Sequence, residues 1–222
     1  MKVGAVAIAF ALLGASAALW ALAPTTSATK AGAVHAVAGR ASPAAALPAA
    51  ARADRTFLSD AQLRDALATG TIDRPIKSLL TVKAPLHFGD YAWDETAIPN
   101  GPTWVRIDLG SQLISIFRAG HEIGTAMIVY GGDNKETPVG KLRILGKARD
   151  HRSSLYEAEM PYTLRLTDDG VSIHASSVRW GAATHGCIGV PLAFAERLFD
   201  ATNVGDEVVI VPPAKAPRAR TS

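Results

Sequence analysis

Trp104-Val105-Arg106-Ile107-Asp108-Leu109 decides the fold class, because Val105, Ile107 and Leu109 alternate with Arg106 and Asp108. A period of two puts the three apolar residues on one face of an extended strand and the charges on the other. Downstream, residues 113–117 form a second β-rich run, Ala119-Gly120 supplies a turn, and residues 123–130 read as a third strand. Residues 142–144, 162–166 and 171–174 continue the series, and Val208-Val209-Ile210-Val211 closes it as a buried strand stopped by Pro212-Pro213. Short strands at this spacing predict a mainly β sandwich or barrel.

Two helices flank the strands. Ser59 followed three residues later by Gln62, with apolar Leu63 and Leu67, predicts a short helix with a capping box that ends before Gly70. Residues 191–201 place Pro191 at a permitted first-turn position and Phe194, Leu198 and Ala201 on one side, which predicts an amphipathic helix. Residues 54–100, punctuated by Pro75, Pro85 and Pro99, read as a leader packed on a main domain at 101–213.

The N-terminal region differs in kind. Residues 3–23 are a near-continuous apolar run behind Lys2, long enough as a helix to span roughly 31 Å, about one hydrocarbon core. A cleaved secretory signal and a retained single membrane anchor both fit, and both carry the chain across a membrane. Residues 24–53 are rich in Ala, Pro, Thr and Ser, with twelve alanines between 31 and 53, and read as a tether.

Charge excludes another class. The chain carries +3 overall, yet every acid lies within 54–213, where 20 acidic residues face 16 basic ones. The positive balance belongs to the ends, including a basic tail at 214–222, so no concentrated basic face is expected and nucleic-acid binding is not. One cysteine makes neither an internal disulfide nor a thiolate metal cage.

That cysteine sits in Thr184-His185-Gly186-Cys187-Ile188-Gly189-Val190-Pro191, downstream of Ser172-Ile173-His174-Ala175. A free cysteine is often a small buried hydrophobe, but a thiol in an exported chain is open to oxidation and invites a chemical role. A thiol is mostly protonated at neutral pH, so a cysteine nucleophile benefits from a base or a local positive potential; His174 ends a predicted strand and His185 lies two residues before the cysteine. If Cys187 enters the turn into the 191–201 helix, the backbone N–H groups of Gly186 and Cys187 converge on an oxyanion.

These residues resemble the L,D-transpeptidase catalytic domain, the YkuD family. Trp104 to Leu109 with Gln112-Leu113 resembles the family's opening strands, Thr137-Pro138-Val139-Gly140-Lys141-Leu142 its Thr-Pro-x-Gly segment, and Ile173-His174 with Thr184-His185-Gly186-Cys187 its active-site signature. The resemblance covers about 104–211 and implies a YkuD-like β-sandwich or barrel with one or two flanking helices. It further implies a cysteine acyltransferase of the bacterial envelope, at the periplasmic or extracytoplasmic face, with peptidoglycan stem peptides as donor and acceptor. Cys187 would form a thioester with release of D-alanine, His174 would act as base and then acid, and the Ala175 carbonyl would orient its other ring nitrogen. No metal or organic cofactor is implied.

Tyr162 and Arg165 precede the His174 strand, where family members line the donor cleft; an ordinary half-exposed strand reads the same way. His185 is expected as a hydrogen-bonding partner and not a second base, since one base suffices. Gly189 stands where the family usually has Arg or Asn, and the nine residues between His174 and Thr184 make a short loop. The compensating expectation is that Arg165, or else Arg179, takes the donor's terminal carboxylate. His121, at a hairpin turn, His35, His87 and His151 are expected to face solvent or satisfy turns, and Trp93 and Trp104 to anchor packing. Two alternatives of different class stand beside the transpeptidase: a non-catalytic peptidoglycan-binding protein, and a metal-dependent hydrolase using His174, His185 and Cys187 as ligands.

Overall fold

The computed structural model describes residues 47, 54–132, 135–153 and 157–213, and the readings of 1–23, 24–53 (Leu47 apart) and 214–222 lie outside them. The alternating stretch is strand β4 (Thr103–Asp108), paired antiparallel with β5 (Leu113–Arg118), which pairs antiparallel with β6 (His121–Met127). The last strand, β12 (Glu207–Val211), returns parallel to β4 and carries β7 (Gly140–Arg143) on its far edge. A parallel neighbour requires a long crossover, and this one contains the whole Cys/His region.

Both faces of this sheet are covered, as strands rich in buried residues require. Val105, Ile107, Ile114, Ile116, Val208 and Ile210 point into the main core. On the opposite face Trp104 stacks on Phe117 with ring centroids 4.3 Å apart, beside Val209. The leader covers that second face with Ala66, Ile72 and Ile76, the first from helix α1 (Asp60–Ala68), and the Arg74 guanidinium lies 4.4 Å over the Trp104 ring. Ser59 caps α1 with the reciprocal Gln62 bonds of a capping box.

Sequence periodicity assigns no strand to 54–100, whereas the structure has three: β1 (Arg55–Phe57), β2 (Ser78–Leu80) and β3 (Tyr91–Trp93). β2 meets the start of β6 and β3 pairs with its later residues, so the leader completes the edge of the sheet. A buried polar cluster fastens it there. Arg55 donates to the Glu122 and Asp94 carbonyls, Ser78 Oγ lies 2.9 Å from His121 Nδ1, and Leu80 N–H donates to the Glu122 carboxyl at 2.8 Å. His121 directly follows the turn as expected, but its ring neither faces solvent nor serves that turn: it is 1% exposed and meets Ser78 of β2.

The second sheet has the order β11–β10–β9–β8, formed by Ile188–Val190, Ser172–Ala175, Thr163–Arg165 and Gly146–Ala148. A bridge joins it to the first sheet: Val129 and Gly189 exchange N–H···O bonds of 3.0 and 2.8 Å. Helix α2 (Leu192–Ala201) packs on β10 and β6 and buries Phe194 completely against the rings of Tyr91 and Trp93. A fully buried Phe of this kind contributes about 2–3 kcal/mol.

Candidate active site

Strand alternation sorts the second sheet into two faces. Leu164, Ile173, Ala175, Ile188 and Val190 belong to the core, so Thr163, Arg165, Ser172, His174 and Gly189 occupy the other face. The register pairs Arg165 with Ser172 and His174 with Gly189. Cys187, one residue before β11, continues the parity of Gly189 and falls opposite Ser172 in the extended register. The thiol and the imidazole are thus diagonal neighbours on one face of two paired strands.

Cys187 is half-buried, with Sγ 3.9 Å from the Gly170 carbonyl. Burial pushes its pKa above the ordinary thiol value; the Ser172 N–H and the Lys135 charge oppose that shift, and Asp169 adds to it. His174 is 9% exposed, and burial pushes its pKa down, with a lesser push from nearby His151. Its Nδ1 lies 2.8 Å from the Ala175 carbonyl oxygen. A carbonyl only accepts, so Nδ1 carries the hydrogen and Nε2 is the basic nitrogen. Burial thus disfavours the charged form of both groups.

The turn before Cys187 is braced from behind. Gly186 has φ +94°, a region that favours glycine, and a β-carbon there would stand 3.3 Å from Lys135 Cγ and 3.4 Å from the Glu136 carbonyl. Thr137 Oγ1 accepts from Gly131 N–H at 2.9 Å and donates to the Gly186 carbonyl at 3.0 Å. Thr184 Oγ1 donates to the Cys187 carbonyl. Thr137, the Thr of the Thr-Pro-x-Gly segment, thus holds the cysteine turn in place, a role its sequence position does not disclose. The turn leads first into β11 and only then into α2, whereas the sequence expectation takes it directly into the helix.

Gly189 has a packing reason of its own. A β-carbon would lie 2.7 Å from both Val129 Cγ2 and Ser176 Cβ, so the inter-sheet bridge leaves no room for a side chain. Arg165 shares the face of Cys187 and His174, with Nη1 3.3 Å from Asp168 Oδ1 and 3.4 Å from the Thr167 carbonyl. Arg179 is exposed on the 176–183 loop, next to Trp180, whose ring meets Phe88 edge to face at 5.6 Å. His185 is exposed beside Gly186.

Tyr162 departs from the expected donor cleft. It precedes β9 with φ +57°, donates its hydroxyl to Glu196 on α2 at 3.1 Å and packs edge to face on Phe199, which puts it on the helix side of the sheet. Two residues that sequence reasoning passes over stand near the thiol instead: Lys135 Nζ is 3.0 Å from Asp169 Oδ2. A groove of about 540 Å³ runs along the braced turn, lined by Gln112, Tyr130, Gly131, Thr137, Ala182 and Pro212 among others; Cys187 and His174 do not line it. Among the described residues, no three His, Cys, Asp or Glu side chains are placed to hold a metal ion, and no helix is long and apolar enough to cross a membrane.

Residues 102–210 match the family model described as YkuD, L,D-transpeptidase catalytic domain. Comparison with curated proteins finds no match. Among solved structures, an L,D-transpeptidase from Stackebrandtia nassauensis is similar at 20% identity and a TM-score of 0.47, over 53% of this chain and 58% of that one. An L,D-transpeptidase from Mycobacterium tuberculosis H37Rv is similar at 23% identity and a TM-score of 0.45, over 49% and 57%. One from Mycobacterium smegmatis is similar at 18% identity and a TM-score of 0.47, over 55% and 77%. The match thus spans less than two thirds of the first two of these chains.

Proposed function

Since residues 102–210 form an L,D-transpeptidase catalytic domain of the YkuD family, we propose that this chain is a peptidoglycan L,D-transpeptidase that works through a Cys187 thioester. The observation that carries the reading is the placement of Cys187 and His174 on one face of paired strands, with Nδ1 committed to Ala175. His174 Nε2 takes the thiol proton as Sγ adds to the carbonyl between stem residues three and four. The resulting oxyanion faces the N–H groups of Gly186 and Cys187, where glycine permits close approach. The C–N bond breaks, the imidazolium returns its proton to the departing D-alanine amine, and the acyl group stays on sulfur.

A side-chain amine of a second stem then attacks the thioester. His174 takes its proton, the sulfur leaves, and a 3→3 cross-link results; water in place of the amine makes the same site a carboxypeptidase. Because burial disfavours both charged forms, the base in this reading acts during attack and not before it. In this reading residues 1–23 carry the chain to the cell envelope as signal or anchor, 24–53 tether it, 54–100 brace the catalytic domain at 101–213, and 214–222 form a basic tail. The purified full chain, incubated with cell-wall sacculi and followed by mass analysis of muropeptides, should release D-alanine and yield 3→3 dimers that Cys187→Ala does not yield. Wild-type sacculi profiles identical to those of the alanine variant would overturn the reading.

A further inference from the structure

The Lys135–Asp169 ion pair lies close enough to Cys187 for both charges to act on its thiol. One end of the pair is fixed at the active-site turn, because the Lys135 methylenes lie against Gly186, one residue before the nucleophile. The other end is fixed by the β9–β10 hairpin: Asp169 precedes Gly170, whose carbonyl is 3.9 Å from Cys187 Sγ. With Nζ and Oδ2 3.0 Å apart, the pair links the two segments that flank the thiol. Both charges act on the sulfur, in opposite senses. The side chains are 40% and 64% exposed, and an exposed pair is held weakly, so either partner exchanges readily.

The donor read above ends in a carboxylate one residue beyond the bond to be cut. Attack brings the scissile carbon to about 3–3.5 Å from sulfur, and three further bonds lead to the carboxyl carbon, which therefore falls within about 7 Å of Sγ. A cation near the thiol can meet it there. Gly189 has no room to supply one; Arg165 sits in an exposed ion pair of its own with Asp168, but it is Lys135 whose methylenes lie against Gly186, one residue before the nucleophile. We infer that Lys135 is the specificity-determining cation for the donor's terminal carboxylate, exchanging Asp169 for it, so that the enzyme selects a chain-terminal amide bond over an internal one. The inference rests on the donor proposed above, but its first test does not.

That test is charge-selective alkylation of Cys187 in the full chain, with iodoacetate and iodoacetamide at one pH, followed by intact-protein mass. Each reagent forms an S–C bond with the thiolate and releases iodide, so a changed thiol pKa moves both rates together. Only iodoacetate brings a carboxylate. Lys135→Gln should lower the iodoacetate-to-iodoacetamide rate ratio about threefold or more, Lys135→Arg should keep it near wild type, and Asp169→Asn, which leaves the lysine in place, should raise it. An unchanged ratio in folded Lys135→Gln, or no rise in Asp169→Asn, overturns the inference even if the chain processes stems. On peptides, wild type should prefer a tetrapeptide acid to its C-terminal amide by about tenfold or more in kcat/KM, and Lys135→Gln should not. A ratio that falls as expected in a chain that turns over neither peptide supports the anion site and assigns the failure to the proposed reaction.

Discussion

The cluster under the leader and the Cys/His face are built from similar groups and do different things. Under β2, burial raises the Glu122 pKa to about 7 and lowers that of His121 to about 4. On the second sheet, His174 is shifted down and Cys187 up, also by burial. Perturbed titration alone therefore does not mark the reactive site. The neighbours separate the two regions: the Glu122 carboxyl and the His121 ring are bonded to Leu80 and Ser78 of the leader strand. His174 instead commits Nδ1 to the Ala175 carbonyl of its own strand, on the same face of the sheet as a half-buried thiol. One cluster ties leader strands to β6, and the other sets an imidazole and a thiol on one face of the second sheet.

Substitutions on the two sides should break different properties. The largest expected effect is at Cys187: Cys187→Ala should abolish D-alanine release from tetrapeptide stems while the melting temperature stays close to wild type, since no other nucleophile replaces sulfur. Release at the wild-type rate would sink the thioester route. His174→Ala should lower acylation about 10²- to 10⁴-fold. At 9% exposure the ring is also packed, so a loss of about 1–3 kcal/mol in stability should accompany the rate effect. Burst kinetics and urea unfolding measure the two losses separately, and a rate loss no greater than unfolding accounts for would return His174 to a packing role.

Arg55→Ala should invert that pattern. The Arg55 side chain is completely buried, with Asp94 3.8 Å away and two backbone carbonyls accepting its hydrogens. Its removal leaves those acceptors and Glu122 without their cation, at a cost of about 2–4 kcal/mol in stability. Turnover per folded molecule, read below the new melting temperature, should stay within about twofold of wild type, because Arg55 touches the leader and β6 and not Cys187.

What the sequence discloses follows the same division. β4 is legible because alternation over six residues is a strong signal, β5 and β12 because each is a β-rich apolar run bounded by turn or proline residues, and α1 because Ser59 and Gln62 stand at capping-box spacing. Five of the six three-residue strands, β1, β2, β3, β8 and β11, are defined by what they pair with, which no local period records. Cys187 and His174 stand out as rare residue types in a recognisable order. Lys135 and Asp169 are ordinary charges 34 positions apart, brought together only by the braced turn and the hairpin. Tyr162 misleads for a geometric reason: with φ +57° it stands just outside β9, so the alternation that places Arg165 does not reach it.

The smallest expected effect concerns pH, and its sign sharpens the contrast between the regions. Glu122 is protonated more readily folded, at about 7, than unfolded, near 4.5. Between those values the folded state binds more protons, so this group's contribution to stability is full below pH 4.5 and is lost as pH rises towards 7. His121 runs the other way: its folded value of about 4 lies below the ordinary 6.5, the unfolded state binds more protons across that window, and its contribution grows as pH rises. The two slopes oppose each other between pH 4.5 and 6.5, and the wild-type melting temperature should vary little there on their account. Glu122→Gln removes only the falling slope, so its melting temperature, followed by circular dichroism, should climb more steeply with pH than wild type over the same interval. Parallel curves for the two proteins would mean that Glu122 does not titrate in the folded cluster and that the leader is fastened by hydrogen bonds whose charge state never changes.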